Sequence, residues 1–328
     1  MKFNHIIGAD ISKKSIDLFC HGLHEHLKIK NDVSGFKKMQ LWLTKLELVS
    51  KNLVIVMEHT GYYSYHFEGF LHQNKVQFCK VSALAIKKSL GLVRGKTDKI
   101  DAGRIACYGY EKQDKLRLEI PVDATLQRLQ ILNSTRSLLV KQRSSLICAV
   151  KEYQVILDKK DPIIQGQFKL IRELTGEIES LEKKMKELLM KPGPIAKNFR
   201  LLIGIKGIGL IVATTTLIKT NNFTRFKNRK KFSCFCGSAP FEYSSGTSIK
   251  KKTRISHLAD KLMKTLLTQS AKTAIQHDKE LKEYYERRTQ MGKSKTSTIN
   301  VVRNKLIHRM FAVIKRQTPF IPQYQKTA

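Results

Sequence analysis

Four acidic residues in the first third of the chain stand where carboxylates can do chemistry. Asp10 ends the first apolar run of the sequence, and Glu58 ends a later one. Asp98 and Asp101 are three residues apart, so on a helix they share one face. Clustered carboxylates repel one another unless a divalent cation neutralises them, and oxygen-only ligands suit Mg²⁺. These acids are therefore candidate metal ligands.

Each of these acids also has a structural interpretation. Asp is common in turns, so Asp10 can simply begin the turn after its strand. Asp98 and Asp101 can instead favour the positive end of a helix dipole, with Thr97 as the cap. Two acids on one helix face amid lysines would leave Lys96 free to approach a phosphate. The residues alone leave both interpretations open.

A second candidate site lies in the Gly- and Ser-rich stretch 237–258. Ser244 and Ser245 stand there directly before a glycine, and several lysines and an arginine follow closely. Such cations can lower the pKa of a serine hydroxyl and hold a phosphate. The same residue types are also typical of a flexible turn, which is the alternative interpretation.

The charge balance indicates a polyanionic partner. The 328 residues contain 61 Lys and Arg against 27 Asp and Glu, a net charge of +34. Residues 198–328 contribute +21 of this, which favours nucleic acid over a small substrate. A charge run can also be only a solvated face. The candidate phosphate-binding residues are Lys96, Lys206, Arg225, Arg229, Lys230, Lys231, Lys250, Lys251, Lys252 and Arg254.

The elements around the acids predict a sheet of the α/β class. Residues 4–30 predict three short strands, 52–58 a strand buried on both faces, and 76–81 a further strand. Helical spacing of apolar residues predicts a helix over 34–47, with Ser34 as the candidate cap. The order β-β-β-α-β-α-β-α is that of a hairpin sheet extended by parallel βα units.

The rest of the chain is predicted to be mostly helical. A heptad pattern over 123–190, broken at 159–162, predicts two long helices that fold back as an antiparallel coiled coil, which can also pair subunits. An apolar–Gly-Ile-Gly–apolar pattern over 201–212 predicts a helix-hairpin-helix that holds a backbone phosphate, or else an ordinary turn between helices. Further helices are predicted at roughly 257–275, 278–290 and 297–316. The predicted domains are 1–120, 121–192 and 193–328.

The cysteines and the hydropathy bear on the compartment. The six cysteines have no zinc-ligand spacing, and most lie in apolar runs, as expected for free thiols in a reducing cytosol. No signal peptide and no apolar run of about 18 residues is found, so export and membrane insertion are not expected. We therefore expect a cytoplasmic protein.

These features together resemble the DEDD transposases of the insertion-sequence-110 family, relatives of the Piv-type DNA invertases. Each motif alone is weak, but their order and the coiled coil between them are specific. The resemblance covers about residues 4–315. The family's Gly-rich, Arg-containing stretch after its Ser-Gly motif is replaced here by Thr247-Ser-Ile-Lys-Lys-Lys-Thr-Arg254. The motifs that match are Gly8-Ala-Asp10, Glu58-His-Thr-Gly61, Lys96-Thr-Asp98-Lys-Ile-Asp101, Gly204-Ile-Lys-Gly207-Ile-Gly209 and Ala239-Pro240 with Ser244-Ser245-Gly246.

The resemblance implies a fold and a reaction. It implies a RuvC-like, RNase H-type N-terminal domain whose metal ligands map onto Asp10, Glu58, Asp98 and Asp101, with Mg²⁺ as cofactor in a pair of ions. It implies a mostly helical C-terminal transposase domain whose nucleophile is Ser245, with Ser244 as the adjacent alternative. DNA would be cut and rejoined through a phosphoserine-linked strand. The implied partners are donor and target DNA, an element-encoded bridge RNA, and further copies of the chain in a dimer or tetramer.

Three other functions account for part of the sequence. A RuvC-like metal-dependent junction nuclease explains the four acids but leaves the serine unused. A non-catalytic nucleic-acid-binding protein explains the charge but makes the acids structural. An actin-like sugar kinase also begins with a strand, an acid and a hairpin. However, the chain has no second Gly-rich phosphate loop, and a small substrate does not require a net charge of +34.

Overall fold

The computed structural model describes the main chain over 3–48, 52–91, 94–95, 97–226, 228–245 and 249–321, and the side chains of these residues except 243–252. The chain divides into two compact units, Met1–Pro121 and Val122–Ala328. The first unit is a mixed α/β layer structure, and the second is mostly helical.

The first unit is built on a five-stranded mixed sheet of order β3-β2-β1-β4-β5. β1, β2 and β3 form an antiparallel meander, and β4 and β5 extend it in parallel with β1. The element order β-β-β-α-β-α-β-α predicted from sequence is confirmed, with one additional short helix, α3. The strands are His5–Ile11, Ser15–Cys20, Glu25–Lys30, Leu53–Glu58 and Gln77–Val81, and helices α1 to α4 are Val33–Lys45, Tyr65–Gln73, Ala83–Ser89 and Asp98–Glu111.

The sheet has a hydrophobic cluster on each face, and α4 lies close against β1. Ile7 and Ala9 face one cluster, whereas Ile6 faces the other, as expected from strand alternation. A Cβ placed on Gly8 would lie 2.0 Å from the carbonyl oxygen of Ala102, so only glycine permits this approach of α4. The close packing fixes where the first turn of α4 lies relative to the end of β1.

The cap of α1 differs from the sequence prediction. Asp32, and not Ser34, is the N-cap, since its carboxylate accepts a hydrogen bond from the amide of Gly35 at 2.9 Å. Ser34 lies inside the first turn and donates its hydroxyl to Asp32 at 2.7 Å. Both residue types are good caps, but the ionised acceptor takes the orphan amide.

The second unit begins with two long antiparallel helices, α5 (Ala124–Tyr153) and α6 (Pro162–Met190). Arg136 Nε donates to Glu182 at 2.6 Å, and Arg143 donates to Thr175 at 3.3 Å, so the contacts run in opposite directions along the two helices. The predicted helical pair is confirmed. The apolar seam between the two helices stops before Tyr153, which is 44% exposed at the end of α5.

The base of this helical arm and the following helices share one core. Leu126 and Leu129 of α5 and Leu189 of α6 are buried together with apolar residues of the later helices. The division into a separate arm domain 121–192 and a domain 193–328 stays a prediction. The later elements are α7 Pro194–Ile203, α8 Leu210–Thr220, α9 Arg229–Phe235, β6 Pro240–Ser245, β7 Ile249–Ile255, α10 Lys261–His277, α11 Lys279–Gln290 and α12 Lys295–Arg316.

Two details of this unit differ from the sequence prediction. The stretch that could have been a flexible turn contains the antiparallel hairpin β6–β7. The predicted helix at 257–275 begins later, because Asp260 caps it by accepting from the amide of Met263 at 2.8 Å. Leu258 therefore precedes the helix and is 73% exposed.

Candidate active site

The register of the sheet places charged side chains in a row across four strands. Asp10 on β1 is paired with Asp17 on β2, and Asp17 is paired with Lys28 on β3. On the other side of β1, the residues that precede Asp10 and Glu58 are paired with each other. Directly paired residues point to the same face of a sheet. The row therefore reads Lys28, Asp17, Asp10, Glu58, on the face that α4 covers.

The first turn of α4 adds two further carboxylates to this row. Thr97 caps the helix, with its hydroxyl oxygen accepting from the amide of Ile100 at 3.2 Å, which confirms the predicted start at Asp98. Asp98 and Asp101 both lie in this first turn. Helix N-termini stabilise negative charge, so this is a favourable place for acids to collect.

Burial and the neighbouring acids both shift the pKa of Asp10. It is raised from 3.8 to about 6, first by burial and then by the negative charges of Asp101, Asp98, Glu58 and Asp17. Like charges at short range disfavour ionisation, so all four neighbours act on the same carboxyl. The structure thus brings the four acids singled out in the sequence together around Asp10 and adds a fifth, Asp17.

Two cations of the chain already neutralise part of this negative charge. Lys28 Nζ lies 3.2 Å from Asp17 Oδ2 and 3.2 Å from Asp98 Oδ2, and these hydrogen bonds raise the pKa of Lys28. Arg104 donates to Asp101 at 2.9 Å and also to the carbonyl of Gly95 at 2.9 Å. Asp98 and Asp101 are therefore held by side-chain cations.

The donor set fits a divalent cation, although the described residues contain no group of three or more His, Cys, Asp or Glu side chains already arranged as a metal cage. The acids supply oxygen donors only, which suit Mg²⁺. The repulsion that raises the pKa of Asp10 is what a divalent cation relieves. Lys28 and Arg104 occupy two of the four carboxylates in the way that a metal ion would.

Asp17 is the residue that sequence reasoning missed. It is only 3% exposed, and besides Lys28 it is hydrogen-bonded to His26 Nε2 at 2.9 Å. Asp17 anchors Lys28, and through it Asp98. The sequence carried no signal for this role, because the pairing of Asp17 with Asp10 depends on the register of the two strands.

The candidate serines lie in the other unit, on the hairpin β6–β7. In the main chain, Ser245 is paired with Ile249 and Ser244 with Lys250. The side chains of 243–252 lie outside the described part of the chain, as does the whole of Lys96. The base of the hairpin is held by α12, since Asn300 donates to the carbonyl of Ser238 at 3.1 Å.

The other predicted nucleic-acid contacts belong to the second unit. The two helices predicted around the Gly-Ile-Gly turn are present as α7 and α8, and the helix-hairpin-helix role of the turn stays a prediction. Gly207 in this turn has φ +89, and the carbonyl oxygen of Ser270 lies only 2.6 Å from the place of a Cβ. Lys250, Lys251 and Lys252 are consecutive residues of strand β7. The predicted cations with described, exposed side chains are Lys206, Arg225, Arg229, Lys230, Lys231 and Arg254. Their contact with phosphates stays a prediction.

Comparison with known proteins identifies the class. A family model for DEDD transposases of the IS110 type matches residues 7–157, which contain all four acids. A model described as the transposase IS116/IS110/IS902 family matches residues 199–286, which contain the serine hairpin. Both models describe IS110-type transposases, so the acid-bearing part and the serine-bearing part of this chain are each similar to proteins of that class.

Two curated relatives match over nearly the full length. The pilin gene-inverting proteins of Moraxella bovis and Moraxella lacunata are each 27% identical to this chain over 331 residues. The aligned region covers 96% of this chain and 97% of each relative.

In the described part of the chain, no helix combines the length and apolar character needed to cross a membrane.

Proposed function

We propose that this protein cuts and rejoins DNA strands in transposition or in the inversion of a DNA segment. The observation that carries the proposal is the convergence of Asp98, Asp101, Glu58 and Asp17 on Asp10, whose pKa rises to about 6. Inversion is included because the two long relatives are named as pilin gene-inverting proteins. The strand order β3-β2-β1-β4-β5 supports a RuvC-like, RNase H-type fold for the first unit.

Asp10, Glu58, Asp98 and Asp101 are the proposed ligands of Mg²⁺, in the pair of ions that the family resemblance implies. Bound there, Mg²⁺ would supply charge neutralisation at the reacting phosphate. For this to occur, Asp98 must exchange the ammonium of Lys28 for the ion, and Asp101 must exchange the guanidinium of Arg104. Asp17 retains Lys28 next to the site when Asp98 is released.

The proposed nucleophile is Ser245. Its Oγ forms a bond to the phosphorus of the DNA backbone while the bond from phosphorus to the leaving strand oxygen breaks. The hydroxyl proton of the serine ends on that released oxygen. The phosphoserine keeps the phosphoester for the reverse step, in which a strand hydroxyl attacks phosphorus and frees the serine. The Lys and Arg of β7 are proposed to hold the phosphates beside it.

The proposed assembly contains donor and target DNA, a bridge RNA that pairs with both, and several copies of the chain in the cytoplasm, associated with the nucleoid. In it, the acids of one copy act with the serine of another. This arrangement is what the resemblance to the insertion-sequence-110 family implies, and both the acid-bearing and the serine-bearing parts of the chain match models of that type.

A trapping experiment tests the proposal. Wild-type protein is incubated with Mg²⁺, copurified RNA and DNA carrying the element junction, then denatured and examined for a covalent protein–DNA adduct. The adduct should form with wild type and Ser244→Ala and vanish with Ser245→Ala. An adduct that persists in Ser245→Ala but not in Ser244→Ala moves the nucleophile to Ser244. Cleaved DNA without any adduct in wild type would overturn the serine step and favour a RuvC-like hydrolytic nuclease.

A further inference from the structure

Three tyrosines project from the turn that follows β4. The turn is a short 3₁₀ helix over Gly61–Ser64, and α2 continues from it. Tyr62 is 60% exposed, Tyr63 52% and Tyr65 50%. Scattered exposed apolar residues are ordinary, but three large aromatic rings within four positions form a patch. Aromatic rings with a polar tip are typical of binding surfaces.

The turn is held rigidly from below. Ser64 is 1% exposed and donates its hydroxyl to Glu68 Oε1 at 2.5 Å. The other oxygen of Glu68 accepts from Lys80 Nζ of β5 at 2.8 Å. Because Ser64 is pinned inward, the tyrosines on either side of it are directed outward. The main chain that carries the rings is thus held in place, which reduces the entropy lost when a ligand binds.

Asn31 joins this turn to a lysine-bearing turn. Its side-chain amide donates to the carbonyl of Tyr63 at 2.9 Å and to the carbonyl of Ser12 at 2.9 Å, and its main-chain amide donates to the carbonyl of Lys14 at 3.0 Å. Lys13 and Lys14 are exposed in the turn between β1 and β2. One asparagine therefore holds the main chain of the lysine-bearing turn beside that of the tyrosine-bearing turn.

A cationic depression continues from the same place. It has a volume of about 380 Å³ and is lined by Ser15, Lys28, Lys30 and Lys38 among others. Lys30 directly precedes Asn31, and Ser15 directly follows Lys14. Within the first unit, lysines thus extend from the tyrosine turn towards the lysine that holds Asp98.

Aromatic rings next to a lysine track have a known use in proteins, which is to bind a single nucleic-acid strand: bases stack on the rings and cations follow the phosphates. Both turns begin within three residues of a carboxylate of the site, Asp10 or Glu58.

We propose that Tyr62, Tyr63 and Tyr65 stack unpaired bases of the DNA strand that approaches the carboxylates, while Lys13 and Lys14 hold its phosphates. The inference rests on the proposed function for the identity of the strand, but base stacking itself needs neither the metal nor the serine. The patch would thereby select strands that are locally unpaired.

Binding without metal tests this directly. A fluorescein-labelled single-stranded DNA of about ten nucleotides, containing 2-aminopurine at one position, is titrated with full-length protein in EDTA. Replacing all three tyrosines by alanine should weaken single-strand binding by about ten-fold or more and abolish the quenching of 2-aminopurine. Binding to a duplex of the same sequence should change by less than about three-fold.

Matched variants separate stacking from folding. Replacing the three tyrosines by phenylalanine keeps the rings and should preserve both affinity and quenching. Tyr153→Ala removes an exposed tyrosine of the helical arm and should have no effect on either. Lys13→Gln with Lys14→Gln should weaken binding and reduce its salt dependence while leaving the quenching at saturation intact.

Several results would overturn the inference. Unchanged single-strand affinity in the triple alanine variant would do so, as would an equal loss for single strand and duplex. Tighter binding of an RNA than of the DNA of the same sequence would reassign the patch to RNA. A change of oligomeric state with unaltered DNA binding would reassign it to a second copy of the chain. Since no cleavage is measured, failure of the adduct experiment leaves these results interpretable.

Discussion

Each unit contains a cluster of acidic and basic residues, and the two clusters differ in their balance of charge. Around Asp10, five carboxylates share the cations Lys28 and Arg104, and the pKa of Asp10 rises to about 6. In the second unit, Asp278 and Glu280 are matched by Arg309, at 2.6 and 2.7 Å. A balanced cluster stabilises a fold, whereas an excess of one charge is tolerated where a ligand supplies the other.

The cluster around Arg309 has every feature of a structural network. Asp278 caps α11 by accepting from the amide of Leu281 at 3.0 Å, and Asp278 and Arg309 are less than 10% exposed. Lys305 adds a second cation near Glu280, at 3.5 Å. The comparison teaches that charge balance, and not the number of charged residues, separates the candidate site from a structural ion-pair network.

The largest expected effect is on catalysis. Asp10→Asn keeps the shape of the side chain but removes the central carboxylate, so strand cleavage should fall by at least about 10³-fold. Binding of DNA should remain nearly unchanged, because the cations proposed to bind phosphates are untouched. Cleavage is followed on labelled junction DNA and binding by gel shift. Unchanged cleavage in the variant would refute the metal role of Asp10.

The next effect is on stability and concerns the balanced cluster. Asp278→Ala leaves Arg309 buried without its nearest counterion and removes a helix cap, which should cost roughly 3–5 kcal/mol of unfolding free energy. The control is Glu280→Ala, which removes a half-exposed carboxylate and should cost less than about 1 kcal/mol. Urea denaturation measures both. Equal, small losses in the two variants would contradict the structural role of Asp278.

A smaller effect links the pKa of Asp10 to stability. Its folded pKa of about 6 lies above the ordinary 3.8, so its ionisation weakens the folded state. The folded state favours the protonated carboxyl of Asp10. This contribution to the free energy of unfolding is fully present below about pH 4 and is lost as the pH rises through 6. Without metal, Asp10→Asn should therefore be more stable than wild type at pH 8, by on the order of 1 kcal/mol after allowance for partial exposure.

The check is urea denaturation in EDTA at pH 5 and pH 8. The advantage of Asp10→Asn should shrink towards pH 5, where the wild-type carboxyl is itself protonated. A variant that is less stable than wild type at pH 8 would show that the carboxylates around Asp10 do not repel it.

The smallest expected effect concerns Lys28, which competes with the metal for Asp98. Lys28→Gln should tighten Mn²⁺ binding by roughly five-fold in the absence of DNA, the size expected for one exposed ion pair. Mn²⁺ binding is measured by electron paramagnetic resonance of the free ion. Lys38→Gln serves as the control, since Lys38 lines the same depression. Weaker Mn²⁺ binding in Lys28→Gln would mean that Lys28 supports the metal site.

Much of the first unit could be predicted from the sequence. Most of its strands are rich in apolar and β-branched residues, and most strands that pair are consecutive in the chain. Thr97 is a strong N-cap residue directly before a helix that begins with two acids in its first turn. The resemblance to the insertion-sequence-110 family brought the four acids into one set, and the fold brings them together. Asp17 could not be recognised, because its role depends on the register of a strand pair, which sequence periodicity does not determine.

The second unit was less predictable where composition opposes the structure. The stretch from Pro240 to Ile255 is rich in serine and lysine, which are poor strand formers, yet it pairs as a hairpin anchored by Asn300 of α12. Asn300 is far along the chain from the hairpin, so no local sequence pattern predicts this contact. The long helices of the arm were predictable because heptads are a local signal.

The most direct test of the central claim is where a divalent cation binds. Crystals grown with Mn²⁺ and measured at its absorption edge should show an anomalous peak coordinated by Asp10, Glu58 and the two acids of α4, with the side chain of Lys28 withdrawn from Asp98. Crystals of Asp10→Asn should lack the peak. A wild-type crystal with Mn²⁺ bound elsewhere, and with Lys28 still bridging Asp17 and Asp98, would contradict the account.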